Sequence, residues 1–294
     1  MIDLKKWSSE AVIKIEQELD NILSVPSKCQ TLLESMRYSS LDGGKRIRPQ
    51  FTIAAGILSQ ACYQTTTVIG CAIELIHCFS LIHDDLPIMD NDDLRRGRPT
   101  NHKVYGDAVA LLAGDALHAI CFEILSDSSL DLLPEKKLQI INLVAKSIGL
   151  QGMVGGQTID WLSTNSELTL ERLKEMHSLK TGALLRASIL AGYLAGNNFN
   201  PQQYQELDLA AQKIGLLFQI VDDIIDVTED TLTLGKTANK DLINNKATYV
   251  NILGLSKAQE IAKGLHSEIT TSLKTQQNSE QLAYLADCVY YRNS

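Results

Sequence analysis

The chain has 294 residues, 45% of them hydrophobic and 21% charged, which suits a globular protein with a large core and excludes a disordered or collagen-like one. Its 27 basic and 35 acidic side chains give a formal charge of −8, against the basic excess of a nucleic-acid binder. Only 6 prolines are present, about 2% against a usual ~5%, so a mostly helical chain is expected.

The opening Met1-Ile2-Asp3-Leu4-Lys5-Lys6 leads into an amphipathic helix around Ile13, Ile15 and Leu19 that Pro26 ends, with no signal-type apolar core. A second helix is expected over residues 31–40, then a break at Gly43-Gly44 and a helix over 51–59 following Pro49. Residues 68–83 are apolar on nearly every face, which predicts a central buried helix. Helices are expected over 107–125 and 136–148, and Gly152, Gly155 and Gly156 mark a break or close packing. Long helices over 170–194 and 201–226 come next, then a polar loop over 227–247 and helices over 257–274 and 281–292. No alternation of strand type is sustained, and no low-complexity linker divides the chain. The expectation is one all-α domain, residues 1–294, of about ten or more helices. No run of 18 uninterrupted apolar residues occurs, so no membrane span is expected; the stretch 108–125 is broken by Asp115 and Glu123. The 6 cysteines form no CxxC and read as reduced thiols, with a cytoplasmic location as the default expectation.

Two very apolar helices end in aspartate clusters. The first is Asp84-Asp85-Leu86-Pro87-Ile88-Met89-Asp90; the second is Asp222-Asp223-Ile224-Ile225-Asp226. In the second, the i,i+3 and i,i+4 spacing to Asp226 gathers carboxylates on one helix face. In the first, Asp84 and Asp90 do not align on a regular helix, and Pro87 must bend the chain to bring Asp90 round. Clustered carboxylates repel one another unless a cation compensates them, and hard oxygen ligands suit Mg²⁺ shared with substrate phosphate. Either cluster alone reads equally well as a solvated helix end. Two of them, each beside a helix too apolar to be exposed, favour a metal.

Cations sit on flexed turns. Gly43-Gly44-Lys45-Arg46-Ile47-Arg48-Pro49 and Arg95-Arg96-Gly97-Arg98-Pro99 combine glycine or proline with clustered Arg, which binds phosphate oxygens bidentately. Lys180-Thr181-Gly182 lies in a helical run, while Lys236 and Lys246, taken singly, read as solvated lysines. His77 is two helical turns before Asp84 on the same face, placing it equally as core or as substrate contact. His83 and His118 read as structural, and no His/Cys spacing suggests zinc.

These motifs, with Gly156-Gln157, Asp160 and Phe218-Gln219, resemble the trans-isoprenyl diphosphate synthases, and most closely the bacterial farnesyl diphosphate synthases. The resemblance runs in the family's order over about residues 42–249. It implies an all-α bundle around a deep central cavity, a homodimer, and Mg²⁺ (with Mn²⁺ as a substitute) held by Asp84, Asp85, Asp90, Asp222, Asp223 and Asp226. It implies contacts to the allylic substrate, dimethylallyl or geranyl diphosphate, from Arg95, Lys180, Thr181, Gln219, Lys236 and Lys246. Contacts to isopentenyl diphosphate fall to Lys45, Arg48, His77 and Arg96. The implied reaction is allylic ionisation, attack by the homoallylic double bond and proton loss. Phe79, five residues before Asp84, with small Ser80 beside it, resembles the farnesyl pattern in which an aromatic floors the cavity, so (2E,6E)-farnesyl diphosphate is the expected product. A geranylgeranyl diphosphate synthase, a non-catalytic partner subunit and a terpene cyclase are the competing readings. A partner subunit is expected to have lost an aspartate motif, and a cyclase has no use for Lys45, Arg48 and Arg96. Asn239, Val250 and Trp161 depart from the family pattern, and none is expected to touch a ligand.

Overall fold

A computed structural model describes residues 3–163, 168–228 and 247–292. The fold is all-α. Helix α1 (Leu4–Ile22) starts where the Asp3 carboxylate accepts the Lys6 N–H at 3.0 Å, and it buries an i,i+4 stripe of Ala11, Ile15 and Leu19. It stops at Ile22, short of Pro26. After α2 (Gln30–Ser40), α3 (Ile47–Leu58) begins before Pro49 rather than after it. The first N–H groups of a helix have no intrahelical partner, so a proline in the first turn forfeits no bond. Helix α4 (Tyr63–Asp84) is buried on nearly all sides and ends on the first aspartate of its cluster.

A hairpin of two-residue strands, β1 (Leu94–Arg95) and β2 (Arg98–Pro99), follows, turned by Arg96 and Gly97 at positive φ. It was not expected, because two residues are too few to show alternation. Then come α5 (Asn101–Tyr105), α6 (Asp107–Ser126), α7 (Pro134–Ile148) and α8 (Met153–Leu162). The single helix expected over 170–194 is instead α9 (Leu170–His177) and α10 (Ala183–Ala195), joined through a π turn at Ser178–Gly182. Helix α11 (Pro201–Thr228) carries the second aspartate cluster in its last turns, and α12 (Tyr249–Leu253), α13 (Leu255–Lys274) and α14 (Glu280–Tyr290) follow.

The principal neighbours run α6, α4, α3, α10, α11, α13 in space. The α3–α10–α11 contact buries Phe51, Ile189, Tyr193 and Leu217, and the α1–α4–α6 contact buries Ile15, Leu19, Leu75 and Leu117. Each such side chain contributes roughly 1.5–3 kcal/mol. By length and composition α4 and α6 could each cross a membrane; 72% of the apolar window of α4 is buried inside the protein, but only 33% of that of α6. Cys71, Cys78 and Cys121 are buried, and the cysteines of the described residues are unbridged.

Candidate active site

The bend expected at Pro87 is realised by a backbone bond: Asp90 N–H donates to Asp84 C=O at 2.9 Å, carrying Asp90 back over the end of α4. Asp84 itself lines a cavity of about 480 Å³, within the usual range for a ligand site. Its wall is largely apolar and includes Phe79, Leu81, Leu86, Leu111, Met153 and Trp161, with Ser80, Lys180 and Thr181 also on it. Burial pushes the Asp84 carboxyl up to about 6; Lys180 and Arg95 pull against this, while Asp90 and Asp85 add to it. Trp161, which is not expected to touch a ligand, shares this wall with Lys180.

Lys180 and Thr181 reach the cavity from the π turn, which widens the helix locally. The turn is packed against α8 and α11. A Cβ on Gly156 of α8 would lie 2.2 Å from the Lys180 backbone nitrogen, so only glycine permits this approach. Lys180 Nζ donates to Asp160 Oδ2 at 2.5 Å, which aims the ammonium. His177, one residue before the turn, is buried against the Tyr249 ring (5.5 Å) and its Nδ1 has no hydrogen-bond partner. Burial, aided by Lys180 and opposed by Asp160, lowers its pKa to about 3. The folded state therefore keeps this imidazole neutral where the unfolded chain protonates near 6.5, so stability is lost as pH falls through 6.5 toward 3. His177→Phe is expected to remove about 2 kcal/mol of the pH 7-to-5 stability loss, read by urea denaturation at both values. An unchanged pH slope would sink this account.

A second cavity, of about 330 Å³, is lined by Lys45, Arg48, His77 and Arg96, the four residues assigned to one substrate by resemblance. The αL turn at Gly44 (φ +112) lets the Arg96 guanidinium lie 3.0 Å from where a Cβ would be, and Arg96 donates to Gly43 C=O at 2.7 Å. Burial and the neighbouring Arg48, Arg96, Arg95 and Arg46 hold the His77 imidazole well below its ordinary pKa, hence neutral. Arg48 and His77 line both cavities and form their common wall.

Other expected residues are already engaged. Arg95 grips Asp85 through Nε and Nη2 at 2.6–3.0 Å. On α11, Asp223 accepts the Tyr249 N–H at 2.7 Å and a 3.4 Å contact from Gln219 Nε2, and Asp226 is buried. Asp222 pairs with Arg292 at 2.6 Å. Arg292 also stacks on the Phe218 ring at 3.4 Å and lines the second cavity. The run Leu285-Ala286-Asp287 through Arg292 also resembles the family, but sequence reasoning gave Arg292 no partner, since Asp222 lies 70 residues away. Asp222, Asp223 and Asp226 are not among the described residues lining the first cavity. Lys236, Lys246 and Asn239 lie outside the described residues. Among the described residues, no three His, Cys, Asp or Glu side chains converge as a metal cage. The donor set fits Mg²⁺ nonetheless: Asp84, which lines the first cavity, and Asp90, folded back beside it, are hard carboxylates, and Mg²⁺ completes its shell with water and substrate phosphate.

A profile of the polyprenyl synthetase family matches residues 29–288. The chain belongs to that family. It is a short-chain prenyltransferase of isoprenoid biosynthesis. Among curated relatives, the chloroplastic geranylgeranyl pyrophosphate synthase of Capsicum annuum is 44% identical over 99% of this chain and 79% of its own. An FPP/GFPP synthase from Zymomonas mobilis superposes with a TM-score of 0.89 at 37% identity, covering 98% of this chain and 99% of the other. A geranyltransferase from Helicobacter pylori, solved with magnesium and isoprenyl diphosphate, gives 0.88 at 33% identity over 99% and 98%. The expected fold is that of these structures.

Proposed function

We propose that this prenyltransferase condenses isopentenyl diphosphate with an allylic diphosphate and elongates it to geranylgeranyl diphosphate. The observation that carries the two-substrate reading is the pair of adjoining cavities: one largely apolar beside Asp84 and Lys180, the other lined by cations, with Arg48 and His77 between them. The first suits an allylic diphosphate with an apolar tail, such as dimethylallyl or geranyl diphosphate; the second suits a short homoallylic diphosphate. Asp84, Asp85 and Asp90, together with Asp222, Asp223 and Asp226 of α11, would hold Mg²⁺, which would supply Lewis-acid stabilisation of the departing diphosphate. Lys180 and Thr181 orient that diphosphate and neutralise its growing charge. Lys45, Arg48 and Arg96 fix the second diphosphate, and neutral His77 offers it a hydrogen bond without a further charge. The apolar walls keep water from the allylic cation while the homoallylic double bond attacks; a proton then leaves and the double bond re-forms.

The fifteen-carbon product expected from Phe79 gives way here to twenty carbons, supported by the names of curated relatives 44–47% identical. A second reading, farnesyl diphosphate, is favoured by one observation: Phe79 lines the apolar cavity, backed by the His83 ring at 4.9 Å and the His118 ring at 5.2 Å. Chain-length analysis of products from labelled isopentenyl diphosphate, Mg²⁺ and geranyl diphosphate decides. A mainly twenty-carbon product is expected. A stop at fifteen that lengthens in Phe79→Ala overturns this reading for the second, and absence of any elongation points to a non-catalytic partner subunit.

The exposed apolar face of α6, with Leu111 44% and Leu112 55% exposed, supports a homodimer in which a second copy covers this helix beside the apolar cavity. A one-chain mass in solution would overturn that assembly.

A further inference from the structure

The run Lys45-Arg46-Ile47-Arg48 holds three cations, yet they do different work. The Arg46 side chain is fully buried at the wall of the cationic cavity, which Lys45, Arg48 and Arg96 also line. Its Nε and Nη2 grip the Glu16 carboxylate at 2.6 and 3.1 Å, Nη1 reaches Glu74 at 3.1 Å, and Nη2 also donates to Ser40 C=O at 2.7 Å. Four of the five N–H donors an arginine can offer are thus spent inside the protein. The bonds tie α1, the end of α2 and α4 to one point of the turn.

Two features argue that the clamp does more than stabilise. Arg46 has φ +46, a left-handed backbone that a non-glycine residue keeps only where its surroundings over-determine it. Lys45, Arg46 and Arg48 all line the cavity, but the Arg46 guanidinium is committed to Glu16, Glu74 and Ser40. The second oxygen of buried Glu74 has no hydrogen-bond partner, a cost that an ion pair present for stability alone has no reason to bear. Glu74 sits one helical turn before His77, on the wall of the same cavity. Gln50 braces the turn from the other side, donating to Lys45 C=O at 2.7 Å while accepting Ser8 Oγ–H at 2.6 Å.

We infer that Arg46, held by Glu16 and Glu74, is a positioning residue for the second diphosphate: the buried clamp sets the turn so that Lys45, Arg48 and His77 converge on one anion. The inference rests on the reading that the cationic cavity takes isopentenyl diphosphate. It assigns Arg46 no substrate contact, and it makes the two glutamates, themselves repelled by that substrate, contributors to its binding.

The test measures KM for isopentenyl diphosphate, KM for geranyl diphosphate and kcat separately in wild type, Glu74→Gln, Glu16→Gln and the double variant Arg46→Met with Glu74→Leu. Replacing a buried ion pair by apolar side chains tends to preserve stability, so the double variant separates folding from positioning. The single variants are expected to raise KM for isopentenyl diphosphate about tenfold, with kcat and the allylic KM within about twofold. The double variant is expected to match the wild-type unfolding midpoint and still show the raised KM. A normal KM in the folded double variant, or equal increases for both substrates, overturns the clamp's positioning role. Should Glu74→Gln not fold, Glu16→Gln decides, since Glu16 is 31% exposed and tolerates the change. Wild type that fails to saturate with isopentenyl diphosphate refutes the cavity's assignment instead.

Discussion

Asp84→Asn is expected to cut turnover by roughly 10³-fold or more while leaving the protein folded, and even to make it more stable. The rate term rests on the proposed role of this carboxylate, which lines the apolar cavity, as a ligand of the metal that would stabilise the leaving diphosphate. A thousandfold loss corresponds to about 4 kcal/mol of transition-state stabilisation. The stability term has the opposite sign. Burial lifts this carboxyl from near 4 in the unfolded chain to about 6 in the folded one, so the folded state holds its proton more tightly. The ionised group therefore costs stability at and above the folded value, and that cost fades as pH falls through 6 toward 4. In metal-free buffer at pH 8 the asparagine variant should gain about 1–2 kcal/mol in urea unfolding, a figure discounted for partial exposure, and little at pH 4. Unchanged turnover would overturn the metal assignment. A destabilised variant at pH 8 would overturn the electrostatic account while leaving the catalytic one standing.

The second large effect is expected from one methyl group. Gly156→Ala places a Cβ 2.2 Å from the Lys180 nitrogen and 2.6 Å from its Cα, contacts to backbone that no rotamer change relieves. Helix α8 and the π turn must move apart. Overpacking of this kind costs about 1–3 kcal/mol, and displacement of a positioning group by about 1 Å costs on the order of 10² in rate. Both a lower urea midpoint and a kcat reduced about a hundredfold are expected, with KM for isopentenyl diphosphate held, because the cationic cavity lies on other elements. Loss confined to that KM would show that the wrong element had moved.

How much of this was legible beforehand differs by length scale. The helices over 63–84 and 107–126 were readable because a long apolar run needs no partner to be recognised. The fold-back of Asp90 was readable from Pro87, Lys45, Arg48 and Arg96 from Gly/Arg turn chemistry, and the grouping of these three with His77 from the family resemblance. What stayed hidden depends on distant partners. Arg292 meets Asp222 across 70 residues, Arg46 meets Glu16 across 30, and the hairpin at 94–99 is shorter than any detectable period. The start of α3 was misplaced because Pro49 was read as a boundary when the first turn tolerates it. On product length the two sources differ: Phe79 on the cavity wall favours fifteen carbons, whereas curated relatives 44–47% identical are named geranylgeranyl pyrophosphate synthases.

The π turn at Ser178–Gly182 has a bearing on how this chain tolerates change. Such a turn carries one residue more than the α-helix would use, and its wider loop absorbs that residue, so the helices before and after it keep the faces they would have on an ordinary rod. Deleting a single residue there would restore an ordinary helical path and leave the buried face of α10, with Leu185, Ile189 and Tyr193, on the core. What would be lost is the local bulge that carries Lys180 to Asp160 and to the cavity wall. The extra residue thus redirects one ammonium without disturbing the packing on either side of it.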